Sequence, residues 1–215
     1  MKFAFRIALC LGFYFAPACA ALRADTPVNL DNSGFEDGLN NGWSLWVAPD
    51  SQPDNCHQDI CAENPHSGAA CLKLSADQVS RFSVGRKETF TVQAGERYRI
   101  SVWLRGNAEF APNTPGFLIR VRLLSQATPA NGGSIDLLHI GLDGKVIRNA
   151  VPSTGPAIPV QWTEVSSVVE IPAGAAKIDV GIFLWNATGS IYLDDFSLEQ
   201  VDASTPLSEV APEGK

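Results

Sequence analysis

Apolar and polar side chains alternate with a period of two along most of this chain, and that alternation decides what it can fold into. In "RYRISVWLR", Tyr98, Ile100, Val102 and Leu104 alternate with Arg99, Ser101, Trp103 and Arg105. In "GFLIRVRLL", Phe117, Ile119, Val121 and Leu123 alternate with Leu118, Arg120, Arg122 and Leu124. In "KIDVGIFLW", Ile178, Val180, Ile182 and Leu184 alternate with Asp179, Gly181, Phe183 and Trp185. Successive strand residues point to opposite faces, so each window reads as a strand with one core side. "ACLKLS", "FSVGRKETFTV", "SIDLLHIGL", "KVIRNAV", "TEVSSVVEI" and "SIYLDDFSL" read as further strands. Turn signals such as "PHSG", "QAGE" and "PAGA" lie between them, and Asp143-Gly144 marks a hairpin. No segment keeps a helical period. About ten short strands predict an all-β fold, a β-sandwich jelly roll of two antiparallel sheets. "GNAEFAPNTPG", "ATPANGG" and "VPSTGPAIP" read as loops from their Pro, Asn and Gly content.

The two ends read differently. Residues 1–20 have a basic start (Lys2, Arg6), an apolar run and the small-residue end Ala18-Cys19-Ala20, the layout of a signal peptide cleaved near Ala20. Acylation of Cys19 is the alternative, though "FAPA" before it is a poor lipobox. The domain is expected over 28–200 and a polar, disordered tail over 201–215. The expected location is secreted or periplasmic, with no transmembrane segment. Losing Lys2 and Arg6 takes the formal charge from −7 to −9, which argues against nucleic acid as a partner. Cys56, Cys61 and Cys71 remain, and one disulfide among them is expected in an oxidising compartment. "CHQDIC" with His57 and His66 nearby matches no standard zinc spacing.

Five motifs in order, "NLDNSGFEDGLNNGW", "PHSGAACLKL", "FTVQAGERYRISVWLRG", "QWTEVSSVVEIPAGAAKIDVGIFL" and "SIYLDDFSL", resemble the carbohydrate-binding modules of families 4 and 9 and their galactose-binding-like relatives. The resemblance covers about residues 28–200. It implies two antiparallel sheets, a structural calcium and a concave face that often binds a glycan. By the same resemblance, Glu36 of "GFEDG" and Asp194 or Asp195 of the last strand are the calcium-ligand candidates, with backbone carbonyls near Ser33, Gly34 and His66–Gly68 supplying other oxygens. The residues agree in one respect. Leu193 and Phe196 are both apolar, so alternation breaks at the Asp pair, and a bulge there would aim one carboxylate inward.

If the aliphatic sets face the core, Trp103, Arg105, Arg120, Arg122, Asp179, Phe183 and Trp185 face outward. Were their strands in one curved sheet, these residues would share a surface on which aromatic rings stack on sugars while Arg and Asp bond hydroxyls or a carboxylate. The alternative is a second, minor core, with Phe110 of the 106–116 loop over Trp185 and Trp103 stacked on Arg105 or Arg120. Trp46 reads as a rim residue and Tyr98 as buried with a hydroxyl needing a partner, while the resemblance implies that Trp43 and Trp162 are core. No "GxSxG" occurs, and no two acids stand out as a hydrolytic pair. The expected function is therefore an exported, non-catalytic glycan-binding module, working beside a separate glycan-active enzyme or a cell-surface component. A structural or adhesion protein on the same fold is the alternative, and a glycan-active hydrolase or lyase the second alternative.

Overall fold

A computed structural model describes residues 25–39, 41–107, 109–127, 134–148 and 157–211. The expected signal peptide and most of the loops at 127–133 and 151–159 lie outside these residues. Eleven strands are described: β1 Thr26–Pro27, β2 Trp43–Val47, β3 Cys56–Cys61, β4 Cys71–Arg86, β5 Phe90–Thr91, β6 Arg97–Gly106, β7 Ala111–Leu124, β8 Asp136–Ile140, β9 Val146–Arg148, β10 Thr163–Glu170 and β11 Lys177–Val201. Among the described residues no helix is long and apolar enough to cross a membrane.

The fold is an all-β sandwich with antiparallel strand pairing. Its two layers are joined by shared strands, so hydrogen bonding runs unbroken through all eleven. β4 and β11 are long enough to take part in both layers. In the first layer, the end of β11 (Ile191–Val201) lies between β6 and the start of β4, with β10 and β3 beyond them. In the second, the start of β11 lies between β7 and the end of β4, with β2 on one side and β8 and β9 on the other. Register shifts at Trp185–Gly189 mark the crossing, the corner at which a bulged strand changes sheets. Gly189 sits there with φ +81, and a Cβ on it would fall 2.3 Å from the Glu109 carbonyl oxygen.

Alternation places the core where the sequence puts it. Leu72, Leu74, Ile100, Leu104 and Leu193 of the first layer and Val84, Ile119, Val121, Ile182 and Leu184 of the second are fully buried in one cluster. Truncating one of these to Ala costs about 2–5 kcal/mol. Tyr98 is buried and its hydroxyl donates to Glu96 at 2.9 Å. Trp43 is buried, and its indole N–H donates to the Asn32 carbonyl at 3.1 Å.

Four expectations need correction. The segment from Ala111 is strand rather than loop, pairing with β11 at Ala187 and Thr188. Phe110 packs against the main core rather than over Trp185. The expected disordered tail is placed as far as residue 211. Ser208 N–H donates to the Val168 carbonyl, Val146 N–H to the Glu209 carbonyl and Ala211 N–H to the Val146 carbonyl, which bridges β9 and β10 with backbone bonds. Cys56, Cys61 and Cys71 are free thiols, so the expected disulfide is not formed. Cys61 and Cys71 are cross-strand partners, but the Cys71 thiol is turned toward the Cys61 carbonyl oxygen at 3.4 Å.

Candidate functional site

The strand pairing divides the predicted outward set between two faces. β6 pairs with the second half of β11 and β7 with the first half. Trp103 and Arg105 therefore lie on the outer side of the first layer, while Arg120, Arg122, Asp179, Phe183 and Trp185 lie on the outer side of the second. Alternation tells which way a side chain points; it does not tell which strands are neighbours.

On the first face the residues 61–70 fold over the sheet and close it. His66 stacks on Trp103 with ring centroids 3.8 Å apart at 14°. Arg105, 9% exposed, lies 3.8 Å over the Tyr192 ring and 5.2 Å from Trp162, and donates to the Glu63 carbonyl at 2.7 Å. Trp162 belongs to this lid contact rather than to the core: it is half-buried, and its indole N–H donates to the Asn64 carbonyl at 2.9 Å. This is the second, minor core that the sequence admits as an alternative, built by 61–70 instead of 106–116.

The predicted calcium ligands latch that same lid. β11 skips register between Asp194 and Ser197, Asp195 takes φ 46, and Asp194 is fully buried, so the bulge read from the broken alternation is present. Asp194 accepts from His66 N–H at 2.9 Å, Ser67 N–H at 3.1 Å and Asp195 N–H at 2.8 Å. Asp195 accepts from the Ser67 hydroxyl at 2.8 Å and lies 2.7 Å from His66 Nδ1. Glu36 accepts from Ala69 N–H at 3.1 Å and Ala70 N–H at 3.3 Å. Gly68 makes room for that carboxylate, since a Cβ there would lie 2.1 Å from Glu36 Oε1. Every oxygen of the three acids thus faces an N–H, an O–H or the imidazole. Among the described residues no group of His, Cys, Asp and Glu is set to hold a metal. The three carboxylates thus latch the lid through its own N–H and O–H groups. Burial pushes the Asp194 carboxyl above the usual carboxylate range, with the Asp195 charge adding to the rise, against the pull of its N–H donors. The Ser67 hydroxyl donates to Asp195 rather than to His66.

The second face is partly covered and partly open. Leu118, Ile147 and Phe183 form a small buried cluster, with Trp185 and Ala211 packed against it. Arg81 lies 4.7 Å over the Trp185 ring and pairs with Asp50 at 2.7 Å. Beside this cluster an open groove of ≈ 460 Å3 runs across β2, β4, β11 and β7, lined by Trp46, Arg86, Lys87, Arg120, Arg122 and Asp179 among others. Trp46 is 47% exposed on its rim, 5.5 Å from Phe183. Asp179 pairs with Arg122 across neighbouring strands. Arg86 is buried, lies 5.1 Å over Trp43 and donates to the Asp31 carbonyl at 2.5 Å. Gly42 allows this, because a Cβ there would lie 2.6 Å from Arg86 Nη1. Lys87, just past the end of β4, was not among the sequence candidates; a cation following a strand next to the loop before β5 gave no clear signal.

No family model matches the chain, and no curated protein does. Its similarity is to solved structures. One is the enzymatically active domain of tailspike protein 4 of bacteriophage CBA120, at TM-score 0.57 and 14% identity, covering 79% of this chain and 21% of that one. This chain thus spans about a fifth of the tailspike chain (21%), and the likeness is one of fold. Two others match along nearly their full length at lower scores. The CBM22-1 xylan-binding domain of Paenibacillus barcinonensis Xyn10C has TM-score 0.48 and 18% identity over 80% of this chain and 94% of that one. TmCBM61, solved with β-1,4-galactotriose, has TM-score 0.46 and 18% identity over 80% and 97%.

Proposed function

We propose that this chain is an exported, non-catalytic carbohydrate-binding module related to families 4 and 9, and that its sugar site is the open groove of the second layer. The observation that carries the reading is the combination of an exposed Trp46 on the rim with guanidinium and carboxylate groups converging on the floor of a ≈ 460 Å3 groove. An exposed indole offers a flat apolar platform for the C–H face of a pyranose, and a few fixed polar groups supply orientation. The order of the five sequence motifs supports the same reading.

Trp103 and Arg105 drop out of the proposed site, because the 61–70 lid covers them. Phe183 is the buried floor beneath the platform, and Trp185 is braced by Arg81 at the covered end. Arg120, Arg122, Asp179 and Trp46 remain as the ligand-facing set, joined by Lys87. The module works beside a separate glycan-active enzyme or a cell-surface component. A glycan-array screen of the protein with Trp46→Ala in parallel tests the reading. Binding by the wild type and its loss in a folded variant are expected; an array with no bound glycan overturns the reading.

A further inference from the structure

The groove carries charge of the sign opposite to the chain as a whole. The chain has formal charge −7, yet the groove presents three cations, Lys87, Arg120 and Arg122, against the single carboxylate of Asp179, a net +2, the Arg86 guanidinium being turned to Trp43 and the Asp31 carbonyl on the other side of the sheet. Asp179 is committed to Arg122. No carboxylate lies within ion-pair distance of Arg120 among the described residues, and its buried Nε has no hydrogen-bond partner there. Its guanidinium lies 4.9 Å over the Phe183 ring.

The floor is built to hold that guanidinium. Arg120, Gly181 and Gly85 are consecutive partners across β7, β11 and β4. Two side-chain-free positions in one row leave the sheet bare, and Arg120 reaches across it, with Nη2 3.9 Å from where a Gly85 Cβ would stand. Burial makes the charge costly, holding the Arg120 guanidinium below its ordinary value despite the help of Asp179. A cation desolvated in this way gains most from an anion delivered by a ligand, and a planar guanidinium accommodates a carboxylate or sulfate through two parallel hydrogen bonds.

We propose that the groove selects an anionic polysaccharide, a glycan whose sugar rings carry carboxylates or sulfate esters, with Arg120 as the principal anion contact and Trp46 as the stacking platform. The proposal rests on the glycan-binding reading above and deepens it.

The test is titration of the full chain with polygalacturonate, fully methyl-esterified polygalacturonate, dextran sulfate, neutral xylan and a single-stranded DNA oligonucleotide, at low salt and at 0.5 M NaCl. Polygalacturonate or dextran sulfate is expected to bind at least roughly ten-fold more tightly than the esterified and neutral polymers, and to weaken to a similar extent in high salt as the charges are screened. Which of the two binds identifies the anion as carboxylate or sulfate. Arg120→Gln is expected to weaken that binding by about ten-fold, a larger loss than it causes for any binding of neutral xylan. Lys87→Gln, at an exposed position clear of the buried floor, gives a smaller loss, about three-fold, and reads the same field if Arg120→Gln does not fold. Equal or tighter binding of the esterified or neutral polymer overturns the anionic preference and leaves the glycan reading standing. Tighter binding of the oligonucleotide than of any glycan overturns the choice of partner, and no binding of any glycan removes the reading on which the proposal rests.

Discussion

Asp179→Ala gives the sharpest test of how the groove is held together. Asp179 and Arg122 face each other across β11 and β7, with side chains 10% and 21% exposed. An exposed ion pair contributes about 0–1 kcal/mol, whereas breaking a buried one costs about 3–5 kcal/mol because a charge is stranded without its partner. These side chains are close to the buried case on one side and open to the groove on the other. Arg120, the next outward-facing residue on β7, adds a like charge that only Asp179 offsets. The expected loss is therefore near the lower bound, about 3 kcal/mol, or roughly 6–12 °C in melting temperature for a domain of this size. Urea denaturation of Asp179→Ala, Arg122→Met and the pair Asp179→Leu with Arg122→Met measures it. The paired change removes both charges and is expected to remain within about 1 kcal/mol of wild type. A loss under about 1 kcal/mol in Asp179→Ala would class the pair with ordinary surface bridges and refute the picture of a desolvated groove floor.

Three further outcomes follow from the first layer. Because burial raises the Asp194 pKa, the folded state holds an extra proton between the unfolded and folded values; stability is greater below that window and falls as pH rises through it. Wild type should therefore lose ground against Asp194→Asn as pH climbs from about 4, and a difference in melting temperature independent of pH would contradict this. Burial pushes the Cys71 thiol up to about 12, so native protein at pH 8 should be alkylated at Cys61 and spared at Cys71; a Cys61–Cys71 disulfide found by mass spectrometry would contradict it. Because the oxygens of Glu36, Asp194 and Asp195 face hydrogen-bond donors, a chelator should leave the melting temperature unchanged; a fall restored by added calcium would show that the cation displaces them.

The strands and their faces were legible because the core windows alternate strictly. The bulge at Asp194 was legible for the complementary reason, that two apolar residues flank the break. β2 was not legible: in "WSLWV" Trp43 is buried while Leu45 and Trp46 are both exposed, so an edge strand shows no clean period. β3, "CHQDIC", is polar at half of its positions and, as an edge strand, does not alternate. The site divided where alternation is silent. It gave the outward direction of Trp103 and Arg120 correctly, but the neighbours of a strand are set by long-range pairing and by the sheet change within β11. Nor does local sequence show that 61–70 lies over Trp103, since that contact depends on Asp194 and Asp195 more than 120 residues away.

The central claim is that ligand meets the open face of the second layer and not the lidded face of the first. Titrating a bound glycan into wild type, Trp46→Ala and Trp103→Ala, each confirmed folded by circular dichroism, tests it directly. The account predicts that Trp46→Ala abolishes binding while Trp103→Ala retains it, with a lowered melting temperature from loss of the His66 stack. Retained binding in Trp46→Ala together with its loss in a folded Trp103→Ala would contradict the account and move the site to the face beneath residues 61–70.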